Sequence, residues 1–215
     1  MNSTLKKTAL ALLMTTAFSG CATAQNSNGS NKATTTATAP ELKGVNNYAA
    51  RSEVKAFVKM MNEKYGYSQD ELLKSFANAE KMDTVLNQLE RDKPNPNFKK
   101  NWEAYRKRYI EPVRIKAGVN FWNKNASILA RAAQQYGVPE HILVGIIGVE
   151  TIYGQYMGDT NVFDVLTTVA FDYPRRSDEY KKFLEEYIVL TKTNKMPLRS
   201  VAGSYAGAIG IPQFM

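Results

Sequence analysis

The chain has 215 residues, 44% of them hydrophobic and 22% charged, and a formal net charge of +8. That composition excludes collagenous and low-complexity classes and leaves room for one domain, or two, with a real core. A single cysteine and a single histidine exclude an internal disulfide framework, a Cys-based zinc site and a His-rich metal cluster, so the chemistry falls to carboxylates, hydroxyls or amides.

At the N-terminus, Lys6 and Lys7 precede an apolar run from Ala9 to Phe18 and the small residues Ser19 and Gly20, the layout of a secretory signal. The run is shorter than the roughly 20 apolar residues a transmembrane helix needs. Phe18-Ser19-Gly20-Cys21 resembles a bacterial lipobox, with Phe18 where leucine is usual. That resemblance implies a signal peptide over 1–20, lipidation of Cys21 and, with Ala22 next, an outer-membrane lipoprotein facing the periplasm. A plain signal peptide followed by a chance cysteine is the alternative. Residues 21–44 are mostly Thr, Ala, Asn, Ser and Gly, too polar to bury a core, and read as a disordered tether.

The rest, 45–215, reads as helices with almost no strand alternation. Val54, Phe57, Val58, Met61 and Tyr65 recur at helical spacing up to Gly66. Ser68 and Glu71 have capping-box spacing ahead of Leu72, Leu73 and Phe76, and a short third helix is expected over Asp83–Glu90. After Pro94 and Pro96, an aromatic stripe of Phe98, Trp102, Tyr105 and Tyr109 runs to Pro112; such a stripe is more often core than binding surface, although sugar rings also stack on aromatic faces. One long helix is expected from Ile115 to Tyr136, ending at Gly137. Another begins at Val138-Pro139, where His141 reads as a solvated or capping residue. Two more should cover Val162–Ala170 and Asp178–Thr191, the latter capped by Ser177.

In the helix after Pro139, Leu143, Ile146, Ile147 and Glu150 fall at i, i+3, i+4 and i+7, one face. The pattern predicts that Glu150 continues an apolar stripe near the C-terminal end of its helix. Apolar neighbours and the negative end of a helix dipole both favour the protonated form of a carboxyl, as a general acid requires. A solvent-facing glutamate, or one paired with Arg175 or Arg176, fits the same periodicity.

The residues around it carry a resemblance. Gly148-Val149-Glu150-Thr151-Ile152-Tyr153-Gly154 is similar to the catalytic segment of the lytic transglycosylases, specifically the membrane-bound B type. Phe171-Asp172-Tyr173-Pro174-Arg175-Arg176 is similar to that family's arginine segment. Gly203 to Gly210, followed by Gln213-Phe214-Met215, is similar to its glycine-rich segment. Val119-Asn120-Phe121-Trp122 and Tyr136-Gly137-Val138-Pro139 also fit, so the likeness spans Tyr48 to Met215. The departures are Ile209, where methionine is usual, and Ile211-Pro212 in a variable place.

The resemblance implies a mainly α, lysozyme-like transglycosylase domain that cleaves the MurNAc-GlcNAc bond of peptidoglycan without water. Glu150 would be the single acid/base, with substrate contacts at Ser204, Gln213, Phe214, Tyr105, Arg175 and Arg176. Ser204 would also hydrogen-bond Glu150. Asp159, Asp164 and Asp172 are expected to cap helices or carry surface charge. The motif ending at Met215 continues in the family, so the domain is expected to be incomplete at its C-terminus and the chain weakly stable or inactive. No metal or cofactor is expected within it, because a family calcium site would lie beyond residue 215. The expected partners are peptidoglycan strands and, through the lipid, the outer membrane; a monomer is expected, and nucleic acid is not. The alternatives are a goose-type muramidase, which hydrolyses the same polymer, and a non-catalytic lipoprotein that binds glycan.

Overall fold

A computed structural model describes residues 47–95, 99 and 101–215. The signal, Cys21, the tether, Pro96 and Phe98 lie outside the described residues. A 3-10 turn (Tyr48–Ala50) leads into α1 (Ser52–Tyr65), α2 (Gln69–Ala77), α3 (Asp83–Arg91), α4 (Trp102–Tyr109), α5 (Pro112–Lys124), α6 (Ala126–Tyr136) and α7 (Glu140–Thr151). Strand β1 (Thr160–Asn161), α8 (Val162–Asp172), a second 3-10 turn (Pro174–Arg176), α9 (Ser177–Thr193) and strand β2 (Ala202–Gly203) follow. The two strands pair antiparallel, Thr160 opposite Gly203 and Asn161 opposite Ala202.

Local chemistry explains most of the boundaries. In α1 the predicted stripe Val54, Phe57, Val58 and Met61 is buried. The helix stops where Gly66 takes φ 71° and returns its amide to the Asn62 carbonyl, the left-handed cap that a residue without Cβ adopts readily. Ser68 caps α2 by accepting from the Glu71 amide. Only that half of the capping box forms, because the Glu71 carboxylate instead pairs with Lys192 of α9 at 2.9 Å.

The predicted helix over Ile115–Tyr136 is two helices. Asn125 breaks it: its amide donates to the carbonyls of Phe121 and Trp122, and its Nδ2 donates to Phe121 O at 2.8 Å. An asparagine side chain competes for main-chain groups and so favours a local stop. Ser177 is the first residue of α9 rather than its side-chain cap, and its hydroxyl donates to Ala170 O at 2.6 Å.

The main core lies between α1, α2, α3, α8 and α9. Helix α8 is its axis: every residue from Val162 to Ala170 is buried, the apolar ones by packing and the polar Asp164 and Thr168 with hydrogen bonds to the chain around Glu80 and Met82. Tyr48 is also fully buried, its hydroxyl donating to Asp172 Oδ2 at 2.5 Å while Arg51 holds Oδ1 at 2.7 Å. The low-dielectric setting and the adjacent carboxylate push the Tyr48 phenol well above its usual pKa.

Helices α5, α6 and α7 form a second, thinner group that packs chiefly on itself. Its buried residues are few: Gly118, Leu129, Val144, Gly148 and Thr151. Trp122 Nε1 donates to Glu140 Oε2, and Arg114 donates to Gly148 O, both at 2.7 Å. Later residues of α5 thus meet earlier residues of α7, so the two helices run antiparallel.

Candidate active site

Helix α7 ends in an irregular turn. Ile152, Tyr153 and Gly154 have φ of 49°, 59° and 85°, three successive left-handed residues. A β-branched side chain there is a backbone outlier that persists only where its surroundings hold it. Several bonds do so. The amides of Ile152 and Tyr153 both return to Ile147 O. Thr151, 1% exposed, accepts from the Gly154 amide at 2.9 Å and donates to Ile211 O at 2.8 Å.

Thr151 therefore joins the end of α7 to the glycine-rich segment. That segment continues from β2. Ser204 closes its first loop: its amide donates to Ala208 O at 2.9 Å, and its hydroxyl accepts from the Ala208 amide at 3.0 Å. Ile209 and Phe214 then exchange main-chain bonds across a turn in which Gln213 takes φ 53°. The Gln213 side-chain amide donates to Gly210 O and, at 3.3 Å, to Met157 O in the loop after α7. Glycine is required where the backbones touch, since a Cβ on Gly158 would lie 2.1 Å from the Gly203 carbonyl oxygen.

Glu150 sits one residue before Thr151, at the junction of these segments. It is exposed, and among the described residues its carboxyl has no hydrogen-bond or ion-pair partner. This corrects the expectation of burial. The inward face of α7 is Val144, Gly148 and Thr151, whereas Ile142, Ile146 and Val149 are exposed. An apolar helix can bury only the faces its neighbours cover, and α5 and α6 cover one side. Among the described residues the pairing of Glu150 with Arg175 or Arg176 does not form, and neither does a bond from Ser204, whose hydroxyl oxygen accepts from the Ala208 amide.

The other expected substrate residues occupy separate places. Tyr105 lies on α4, a helix with no buried residue, so the aromatic stripe expected as core is surface. Trp102 is 71% exposed and Tyr105 is 54% exposed, with their rings 5.9 Å apart; Tyr109 follows 4.9 Å from Tyr105. The reason is that, among the described residues, no helix packs closely along α4. Phe214 is also exposed.

Arg175 is exposed and lines a recess of about 360 Å³ with Lys93, Asp92 and Tyr173. Arg176 is engaged: Nε donates to Glu179 at 2.8 Å, and the guanidinium carbon lies 4.8 Å from the Tyr180 ring. The recess adjoins the glycine-rich loop through Tyr205, whose hydroxyl donates to Asp92 at 2.7 Å. That bond and partial burial push the Tyr205 phenol up to about 12. Tyr180 donates to Ala206 O in the same loop.

Two of the three aspartates are structural, in a more buried way than capping or surface charge. Asp172 holds Tyr48 and Arg51. Asp164 is buried, with Arg199 at 2.7 Å and the Glu80 amide at 3.2 Å. Burial pushes the Asp164 carboxyl above its usual pKa, although the Glu80 amide and Arg199 act in the opposite direction. Sequence reasoning placed Thr151 and Tyr153 in the segment around Glu150 without giving either a role, and it passed over Arg114. A single threonine, tyrosine or arginine side chain gives no local sign of a partner elsewhere in the chain.

The mainly helical domain, with Glu150 at the end of α7 and the short β1–β2 pair closing the glycine-rich segment onto the chain that follows α7, belongs to the lysozyme-like class, as the structural likenesses bear out. Within it, this chain belongs to the transglycosylase SLT domain family, which matches residues 49–215. Over 174 residues it is 36% identical to the membrane-bound lytic murein transglycosylase B of Escherichia coli (strain K12), covering 78% of this chain and 48% of that protein. It is similar to the catenated lytic transglycosylase SltB1 of Pseudomonas aeruginosa, with 40% identity and a TM-score of 0.74 over 78% of this chain and 54% of that one. The Escherichia coli lytic transglycosylase Slt35, solved in complex with bulgecin A, gives 39% identity and a TM-score of 0.69 over 74% and 50% of the two chains. The chain thus spans about half the length of the relatives it matches.

Proposed function

We propose that this chain is the acid/base-bearing part of a peptidoglycan lytic transglycosylase. The observation that carries the reading is Glu150 at the end of α7, exposed and without a partner among the described residues, where Thr151 joins that helix to the glycine-rich segment. Glu150 protonates the oxygen leaving C1 of N-acetylmuramic acid as the C1–O bond breaks. The resulting carboxylate takes the proton from that sugar's C6 hydroxyl, whose oxygen bonds to C1. Protons balance, no water is consumed, and the product carries a 1,6-anhydro end. A second carboxylate, needed by ordinary glycosidases, is not required, and the reaction as written calls for no cofactor.

Ser204, Gln213, Phe214 and Tyr105 contact the glycan in this proposal. Gln213 offers its amide oxygen, while its nitrogen is held by main-chain carbonyls. Arg175 takes a lactyl or peptide carboxylate, with Arg176 beside it. Cys21 carries the lipid that holds the protein at the outer membrane, facing the periplasm, as a monomer. Among the described residues no helix is long and apolar enough to cross a membrane, and a Cys21→Ala variant should leave the membrane fraction.

The test is mass spectrometry of peptidoglycan digested by the wild type and by Glu150→Gln. Anhydro-muropeptides, lighter by one water than hydrated reducing ends, should accumulate with the wild type. The variant should lose about 10²–10⁴-fold in rate, the usual contribution of a general acid/base. Reducing ends alone would make the chain a hydrolase of the goose-lysozyme kind. Equal glycan binding by both proteins with no cleavage by either would make it a binding module.

A further inference from the structure

The end of α7 lacks the packing that would ordinarily fix a reactive side chain, yet α5 grips it at two points. The first is a carbonyl that helix termination leaves over. In a continuing helix Gly148 O would accept from the Ile152 amide, but that amide and the next both go to Ile147 O. Arg114 of α5 fills the gap, its guanidinium donating to Gly148 O at 2.7 Å. The Arg114 side chain is mostly buried, lies 3.8 Å from Glu111 and 5.4 Å from the Tyr109 ring, and leaves Nε buried without a hydrogen bond. Desolvating a guanidinium is costly unless its bonds are used, and the bond it makes is to the last turn of α7. A cation also suits the C-terminal end of a helix.

The second point is a notch. The Tyr153 hydroxyl lies where neither α5 nor α7 has a side chain, and a Cβ added at Gly118 or Gly148 would come within 2.4 or 2.5 Å of it. Phe121 flanks the ring at 5.6 Å. With its ring seated, Tyr153 can be held at its left-handed φ, and the strained turn from Ile152 to Gly154 keeps one shape.

We infer that Arg114 and Tyr153 are positioning residues: through Gly148 O and the glycine notch, α5 fixes the last turn of α7 and with it the direction of Glu150. This rests on Glu150 being the acid/base. Neither residue touches substrate; each acts by setting where the carboxyl points, and small misplacements of a catalytic group are costly.

The experiment compares Arg114→Ala, Arg114→Lys and Glu150→Gln with the parent chain. It reads peptidoglycan cleavage (kcat and KM), melting temperature, and amide hydrogen exchange at Ile152–Gly154. Arg114→Ala should lower kcat by about 10–100-fold, the scale of a roughly 1 Å misplacement, while KM stays within about twofold. Exchange at Ile152 and Tyr153 should accelerate more than in α8, and Arg114→Lys, which can still reach the carbonyl, should recover most of both effects. The inference is overturned if kcat stays within about twofold, if exchange at the turn is unchanged, or if lysine restores neither. A fall in kcat that merely tracks a lower melting temperature, with KM rising too, also overturns it. If Glu150→Gln cleaves as well as the parent, the acid/base reading fails instead, and hydrogen exchange alone decides whether Arg114 holds the turn.

Discussion

Helices α7 and α8 are almost equally apolar, yet α8 buries every residue from Val162 to Ala170 while α7 buries only Val144, Gly148 and Thr151. The difference lies in their neighbours. Helix α8 is enclosed by α1, α2, α3 and α9, whereas α7 rests on α5 and α6 and leaves Ile142, Ile146 and Val149 open. One half of the molecule is therefore held by close-packed side chains. The half that carries Glu150 is held by a few polar bonds, a glycine notch and a strained turn. A site built that way has room for a ligand, and its geometry depends on single residues.

Truncations should separate the halves most sharply. Phe163→Ala, at a fully buried position, should cost about 3–5 kcal/mol, while Leu129→Ala in the thin half should cost about 2 kcal/mol, the low end for its type. Urea unfolding measures both, and equal losses would erase the distinction. Next comes overfilling. Gly148→Ala should destabilise by about 1–3 kcal/mol, because the new methyl meets the seated Tyr153 ring, and combining it with Tyr153→Ala should relieve much of the cost.

A smaller, acid-sensitive effect belongs to the dense half. Burial of Glu185 works against its charge, but hydrogen bonds from Lys64 at 2.6 Å and Tyr65 at 2.7 Å prevail and hold the carboxyl below its usual pKa. A carboxylate with a lowered folded pKa contributes stability above its unfolded value, about 4.3, and loses it as pH falls through the folded one. The melting temperature should drop on acidification below about pH 4, and Glu185→Gln should flatten part of that drop. The smallest effect is expected at the proposed acid itself. Glu150 is exposed and has no partner among the described residues, so Glu150→Gln should change stability by less than about 0.5 kcal/mol even as it removes cleavage.

Much of the fold was legible because helix signals are local. The stripe Val54, Phe57, Val58 and Met61, the stops at Gly66 and Gly137, and the cap at Ser68 all lie where the spacing predicts. Reading failed where local pattern and neighbours disagreed. Asn125 looks like an ordinary helix residue until its side chain takes the Phe121 carbonyl. Trp102 and Tyr105 trace an apolar stripe that, among the described residues, no helix comes to cover. For the candidate site, the chain pattern picked out Glu150 and the glycine-rich segment but assigned the wrong surroundings to the carboxyl.

The sequence by itself determined the helices, most of their ends, and the place of a glutamate at the close of an apolar one, since these depend on groups three to five residues apart. Tertiary structure alone decided which face of α7 is covered, that Thr151 reaches Ile211 across 60 residues, and that Arg114 reaches Gly148 across 34. Such bonds arise only when the closing chain brings distant donors to unpaired main-chain carbonyls, and no periodicity along the chain encodes that meeting.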